Sequence, residues 1–464
     1  MREGAAIFSP TEPSPTHLVR LPQAHERLPL LGLSVFLIFL FLRPADLFPV
    51  LTPLRPVLVV LVLTVLLFIM NRGRGQRILL VPYSTGQYLL SFLAVMLLSI
   101  PFSYWPGGSF ANTTEFMKEV AVFILIVNIA ASLSALARLT RVIIFCNVVL
   151  ALLAVKDYLT GNLLHRGRIE GLGGLFNDPN DLAVCFVAVL PLIYWRLQSR
   201  PTPMNRFLLI GAMLVAVGGV VATQSRGGFL GLVAVAGLIL MRSRRKMTAL
   251  ILAAMFVLAV VLMSPQGAFD RFSTIANYQG EENAQIRLAM WRAGLHMFAD
   301  HPILGVGTGV FPIAYGEDYR DPEFPYNMWW TAHNTLIQVM AELGLAGLIV
   351  WIGLVVSGFS ILRKARRQIS SADRDSVFFE ALELNSALSV SFVGFLVSSL
   401  FLSKAYDWIL ILLLAIITAS FRMTEGRWPE TSGAVRNRFA GNPLRASGPD
   451  FPLKGRVPFK EKFR

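Results

Sequence analysis

Charge is scarce in this chain. Of 464 residues, 15% are Asp, Glu, Lys or Arg, whereas 55% are hydrophobic. Soluble domains carry about 25% charged residues, so the composition excludes an ordinary soluble globule and points to a membrane. Cysteine is scarcer still. Cys146 and Cys185 are the only two, and both fall in apolar runs, which favours packing residues over a disulfide. No His, Cys and carboxylate residues recur at metal-ligand spacing, and the P-loop and the GxSxG elbow are missing. No internal repeat and no separate soluble domain is visible. Residues 1–28 hold Pro10, Pro13 and Pro15 but lack the apolar core of a cleavable signal.

Apolar runs near the ~20 residues that cross a bilayer recur along most of the length. They predict an all-α integral membrane protein of about twelve spans, near 30–48, 55–71, 84–102, 117–135, 140–158, 180–197, 206–223, 227–242, 247–264, 334–360, 379–402 and 405–421. Basic residues crowd alternate connections: Arg72, Arg74 and Arg77; Arg138 and Arg141; Arg196, Arg200 and Arg206; Arg242, Arg244, Arg245 and Lys246; Arg363, Lys364, Arg366, Arg367 and Arg374. The positive-inside bias puts these in the cytosol together with both termini, and puts the 265–332 loop outside. Three segments follow: a flexible cytosolic leader at 1–28, a polytopic membrane domain at 29–421, and a basic cytosolic tail at 422–464 whose composition cannot bury a core. The tail suits anionic headgroups. The net charge of +14 is thus topogenic charge plus a basic tail, not a nucleic-acid surface.

Unusual residues gather at the outer ends of the spans, in four clusters. The first runs from His165 through Arg166, Arg168, Gly171, Gly173 and Gly174 to Asn177, Asp178, Pro179, Asn180 and Asp181. Pro179 suits a first helical turn. With Arg168, that helix start offers a place for an anion. The alternative is an ordinary cap, for which Asn and Asp are good groups. Lys156, Arg166 and Arg168 run against the charge bias here, and an anionic ligand is one reason for such an exception. The second cluster is Gln224-Ser225-Arg226-Gly227-Gly228. The short turn pins Arg226 at the outer interface, either snorkelling to headgroups or presenting its planar fork to phosphate oxygens.

The third cluster lies inside the large loop. Arg287 and Trp291 sit one helical turn apart and share a face, with the apolar stripe expected to continue through Leu295 and Phe298. Such a helix lies on the membrane or against the bundle, and Pro302, Gly305, Gly307 and Gly309 end it. Arg292 reads as a solvated residue. The fourth is His333-Asn334 at the start of a span, preceded by the interfacial aromatics Tyr326, Trp329 and Trp330. Glu342 follows within the span and is expected to pair with a cation, while Gly344 and Gly347 are expected to permit close helix packing. A lone His at a helix start is often structural, and His165, His296 and His301 lie in the same outer loops. Imidazole titrates near pH ~6.5, which suits a proton acceptor.

In order, spacing and sidedness these clusters resemble the O-antigen ligase and polysaccharide polymerase superfamily of bacterial envelope enzymes. The resembling signatures are Arg168-Ile…Asn177-Asp178-Pro179-Asn180, Ser225-Arg226-Gly227, Arg287…Trp291, Pro302…Gly305-x-Gly307 and His333-Asn334…Glu342-x-Gly344-x-x-Gly347. The resemblance covers roughly residues 165–355 and implies a C-type membrane glycosyltransferase of the bacterial inner membrane. It implies a polyprenyl-diphosphate-linked glycan as donor and a glycan or lipid A core as acceptor. It also implies direct displacement with inversion, no metal and no cofactor. His333 is then the general base, Arg226 and Arg287 the cations facing the leaving diphosphate, and Arg168, Asn180, Trp291 and Asn334 substrate-binding residues. The acceptor class stays open between ligase, polymerase and protein O-oligosaccharyltransferase. A solute transporter is the reading from another class, and paired broken helices at mid-membrane are its mark.

Overall fold

The computed structural model describes residues 24–71, 78–81, 83–130, 132–164, 168–169, 176, 178–199, 201–242, 282–320, 329–370 and 376–425. It is a helical bundle. The helices are α1 (Ala24–Leu42), the short α2 (Pro44–Leu47), α3 (Pro56–Met70), α4 (Tyr83–Ser99), α5 (Pro106–Ile129), α6 (Leu133–Leu159), α7 (Pro179–Gln198), α8 (Pro203–Ala222) and α9 (Arg226–Arg242). After the undescribed stretch come α10 (Glu282–Asp300), α11 (Phe311–Glu317), α12 (Thr335–Ser370), α13 (Ser376–Ser399) and α14 (Trp408–Glu425). A two-residue hairpin, β1 (Leu163–Leu164) with β2 (Arg168–Ile169), is the sheet among the described residues. The terminal unit from Trp428 lies outside them, as does the span expected at 247–264.

Eight described helical segments are long and apolar enough to cross a membrane. The helices α1, α5 and α9 occupy three more of the expected spans. Burial separates the centre from the rim. In α14, 83% of the apolar window is buried, against 11% in the segment containing α3. The exposed Leu58, Val59, Val62, Leu63 and Leu66 of α3 form a face that water would not tolerate and lipid does. Cys146 and Cys185 are free and buried, and the Cys185 thiol donates to Asn147 Oδ1 at 3.0 Å.

One helix start and one helical face differ from the sequence reading for tertiary reasons. The fourth span was expected from residue 117, yet α5 begins at Pro106. Its first turns carry Ser109, Asn112, Thr113 and Thr114, which look like loop by hydropathy alone. Ser109 finds partners in the fold: its Oγ lies 2.8 Å from Ser103 Oγ and donates to the Thr308 carbonyl at 3.1 Å, while Thr113 and Thr114 donate to carbonyls of their own helix. The stripe on α10 also differs. Its buried face is Ile286, Ala289, Met290, Ala293 and Met297, packed with Val306, Phe311, Tyr315 and Ala332, while Leu295 is exposed. The helix therefore lies against protein, and Trp330 packs on the same cluster.

Helix α12 is 36 residues long and is broken at Gly344, where φ is 62° and ψ is −157°. The break frees backbone groups that cannot stay unpaired at membrane depth. The 302–307 segment fills it. Leu345 N–H donates to Pro302 O at 2.8 Å and Ala346 N–H to Ile303 O at 3.2 Å. In the other direction, Val306 N–H donates to Ala341 O at 2.9 Å and Gly307 N–H to Glu342 O at 3.0 Å. So Gly344 serves a close approach, but of a loop and not of a second helix. At Gly347 an added Cβ would meet Leu343 of its own helix at 2.2 Å, so interhelical packing does not explain it either.

Glu342 also departs from expectation. Its carboxylate accepts N–H groups from Gly309 at 3.0 Å and Phe311 at 3.2 Å, and Gln338 Nε2 lies 3.4 Å away. Among the described residues it pairs with no cation. Phe311 is the first residue of α11, whose own N-cap, Val310, supplies no side-chain bond. The free amides of a helix start attract an acid as a cation would.

Gly305, at φ +67°, has no room for a side chain: an added Cβ would lie 2.3 Å from the Glu342 carbonyl carbon. Gly305→Ala is therefore expected to destabilise the fold by about 1–3 kcal/mol or more through strain and displaced backbone. Gly237→Ala is the control, because nothing lies within 4 Å of the added methyl. Tryptophan-monitored thermal unfolding in detergent should show a lowered transition for the first variant and an unchanged or raised one for the second.

Candidate active site

The chain between α13 and α14, residues 400–407, gathers one end of the bundle. The Thr335 hydroxyl lies 2.8 Å from both the Ser399 and Leu402 carbonyls, shares its proton between them, and accepts the Lys404 N–H at 3.0 Å. One turn further along α12, Gln338 Oε1 accepts the Ala405 N–H at 3.2 Å, and Trp351 Nε1 donates to Ala405 O at 3.3 Å. Lys404 reaches sideways to α7. Its ammonium lies 2.5 Å from Asp181 and 2.9 Å from Asp407. Burial alone would push this lysine down, but Asp407 and Asp181 outweigh it and hold its pKa above the ordinary value. Asp407 also caps α14, accepting the Ile409 N–H at 2.8 Å.

His333 sits at the edge of this hub. Its backbone N–H donates to Ser403 Oγ at 3.0 Å, and its φ is 49°. A non-glycine residue in the left-handed region costs of order 1–3 kcal/mol and persists where the surroundings over-determine it. Here the Ser403 bond holds one side and the start of α12 the other. Asn334 is that helix's cap: Oδ1 accepts Leu336 N–H at 2.9 Å and Ile337 N–H at 3.1 Å.

Arg226 approaches the same connection from α9. Gln224 is also left-handed, at φ 51°, and Ser225 Oγ caps α9 by accepting the Gly228 N–H at 3.1 Å. The helix start then runs so close to α13 that a Cβ on Gly227 would lie 3.2 Å from Phe401 and from the Ser398 carbonyl. The start of α9, by Gly227, and the backbone of His333 thus adjoin one stretch, 398–403, and Arg226 and His333 are both half-buried.

The other expected residues divide. Arg287 and Trp291 are half-buried on α10, which packs on α12: a Cβ on Gly294 would meet Ile337 at 2.4 Å. Ile286, beside Arg287, and Ala332, beside His333, belong to one apolar cluster. Trp291 Nε1 is buried without a hydrogen-bond partner among the described residues. Asn180 is buried in the first turn of α7, and its backbone N–H and Nδ2 both donate to Asp178 Oδ1 at 2.8 Å. Asp178 is the N-cap of α7, with Pro179 in the first turn as expected. Arg168 lies in β2, opposite Leu164; its side chain falls outside the described residues, as do His165, Arg166, Gly171, Gly173 and Gly174. Of the other histidines, His301 packs edge-on against Tyr104 at 5.7 Å and His296 is exposed on α10. Among the described residues no three His, Cys, Asp or Glu side chains converge as a metal requires.

Sequence reasoning missed Ser403, Lys404 and Asp407, because the two apolar runs around them nearly touch and leave no visible loop. The signal was a lysine on the side of the membrane where basic residues are depleted. Glu119 of α5 was missed as well. It is buried, Oε2 has no hydrogen-bond partner among the described residues, and Asp407 and Lys404 are among its charged neighbours.

Removing the Lys404 charge leaves Asp181 and Asp407 facing each other without their cation. Lys404→Met is expected to cost about 3 kcal/mol, and Lys404→Arg less. Thermal unfolding of the two purified variants beside the parent measures both.

Residues 210–352 match the family model described as O-antigen ligase. The matched segment contains Arg226, Arg287, Trp291, His333 and Asn334, whereas Arg168 and Asn180 precede it. No curated protein matches the chain. With its bundle of membrane-length apolar helices and this segment similar to the O-antigen ligase family, the chain is a multi-pass membrane protein that carries an O-antigen ligase-like region.

Proposed function

We propose that this protein is a membrane glycosyltransferase that moves a glycan from a polyprenyl-diphosphate carrier to an acceptor hydroxyl at the outer face of the bacterial inner membrane. The observation that supports the reading is that the backbone at His333 and the start of α9, where Gly227 follows Arg226, adjoin one stretch, 398–403, and that both residues fall within the O-antigen ligase match. The ends of α7, α9, α12, α13 and α14 that carry Asn180, Arg226, His333, Ser399 and Asp407 form one end of the bundle. The arginine-rich connections lie at the other end. The charge bias makes that other end cytosolic, with both termini, and leaves the site outside.

A donor outside the cell cannot be expected to come as a nucleotide sugar, so a lipid-linked diphosphate supplies the leaving group. The acceptor oxygen attacks the anomeric carbon from the face opposite the diphosphate. The carbon–oxygen bond to phosphate breaks, the configuration inverts, and the hydroxyl proton passes to His333. Negative charge grows on the departing diphosphate, and Arg226 and Arg287 stabilise it where it develops. Fixed guanidinium charges do this without a metal. The left-handed backbone at His333, held by Ser403, keeps the imidazole from relaxing into the first turn of α12. Asn334 and Trp291 adjoin that position on α12 and α10, and Trp291 retains an unused indole N–H for a substrate oxygen. Arg168 from β2 and Asn180 from the first turn of α7 serve the donor.

Among the described residues, the break in α12 is the feature a transporter reading would use. It is filled by the 302–307 backbone and so does not line a path for solute.

His333→Ala is expected to lower transfer by about 10²–10⁴-fold with expression and folding intact; full retained activity would end the base assignment. Arg226→Lys and Arg287→Lys keep charge but lose the fork, and are expected to reduce turnover more than donor affinity. The assay is purified protein with a lipid-linked glycan, offered lipid A core, a second lipid-linked repeat or a Ser/Thr peptide. A ladder of products marks polymerisation, and a single shift on one acceptor marks ligation.

A further inference from the structure

At the end of the bundle opposite His333, a cavity of about 190 Å³ opens between α7, α9 and α13. Its lining is mixed. Ile239 and Val390 are apolar, Gln198 and Ser386 offer hydrogen bonds, and Arg242 and Glu383 bring opposite charges. Those two charges do not satisfy each other. No salt bridge or hydrogen bond to either is present among the described residues.

Their neighbours sharpen the contrast. Glu380, one turn before Glu383 on α13, is already taken: it accepts from Arg196 at 3.3 Å, and its carbonyl accepts Trp195 Nε1 at 3.2 Å. Glu383 lies deeper, inside the apolar Phe379–Ser399 span. An ionisable group there is costly, and its presence asks for a partner. Arg242 ends α9, and the charge that acts on it is another guanidinium, Arg366 of α12. Among the described residues, the cavity therefore holds a positive site without an acid and a negative site without a base.

An anion alone would serve Arg242 and repel Glu383; a cation alone would do the reverse. A group carrying both signs a few bonds apart serves both. We propose that this cavity binds the headgroup of an ethanolamine phospholipid. Its phosphate faces Arg242 at the interface, its ammonium reaches Glu383, and Ile239 and Val390 flank the glycerol end. The volume fits a compact headgroup and is smaller than the roughly 300–1,000 Å³ of sites that enclose drug-sized ligands. The lipid would brace α7, α9 and α13 where they diverge, at the far end of the helices that carry Asn180 and Arg226.

Native mass spectrometry of the full-length protein tests this, with equal amounts of phosphatidylethanolamine and phosphatidylglycerol in the detergent. The expected result is one phosphatidylethanolamine retained, about tenfold in preference to phosphatidylglycerol. Glu383→Gln should remove that preference, and Arg242→Gln should weaken retention of both lipids. Equal retention by the parent, a preference for phosphatidylglycerol, no retained lipid, or an unchanged preference in Glu383→Gln each overturns the proposal. If Glu383→Gln does not fold, Arg242→Gln decides it: undiminished retention in that variant is incompatible with a phosphate on Arg242. The readout is lipid mass and not glycan transfer, so its outcome is separate from that of the catalytic reading.

Discussion

A broken helix at membrane depth has to find hydrogen-bond partners within the protein, and α12 finds them in the 302–307 backbone. Four interelement bonds cross the break at Gly344. They fix where the large loop enters the bundle, and so where α10 and α11 can pack. Glu342 completes the joint by accepting the amides at the start of α11. Because Thr335 lies at the other end of the same half-helix, the joint also sets the position from which His333 meets the α13–α14 connection.

That connection does for the site what the loop does for the break. It is short, and four successive ties hold it to its neighbours, Ser403 to His333, Lys404 to α7, Ala405 to Gln338 and Asp407 to α14, while the buried Tyr406 hydroxyl has no hydrogen-bond partner among the described residues. A buried lysine between two aspartates contributes less to net stability than its Coulomb attraction suggests, because desolvation opposes it. Its value here is geometric. It fixes α7 to the loop that holds His333, and α9 packs against both α7 and α13 in the same region. Strain at His333 and Gln224 is carried by this framework.

The two ends of the bundle have different chemistry. One carries the helix starts at Arg226 and His333 and the buried Lys404 with Asp181 and Asp407. The other carries the arginine-rich connections and a cavity with an unmatched charge pair. Lipid contacts the rim helices between them, where α3 leaves most of its side chains unburied. The division follows from solvent: charge is tolerated near the interfaces, and the middle admits it only with a partner.

Hydropathy and charge alone determined the all-helical membrane class, the order of the spans and the shared sidedness of Asn180, Arg226 and His333, because a bilayer imposes a length and a composition on every helix that crosses it. Local chemistry likewise foretold the cap at Asp178 and the end of α10 at Asp300, before Pro302. The partner of Glu342, the start of α5 and the hub at 400–407 were decided by tertiary structure. Each depends on groups far apart in the chain: Glu342 meets Gly309 and Phe311, Ser109 meets Thr308, and Lys404 meets Asp181. A sequence shows that a buried acid or hydroxyl needs a partner, and only the packed chain selects which one.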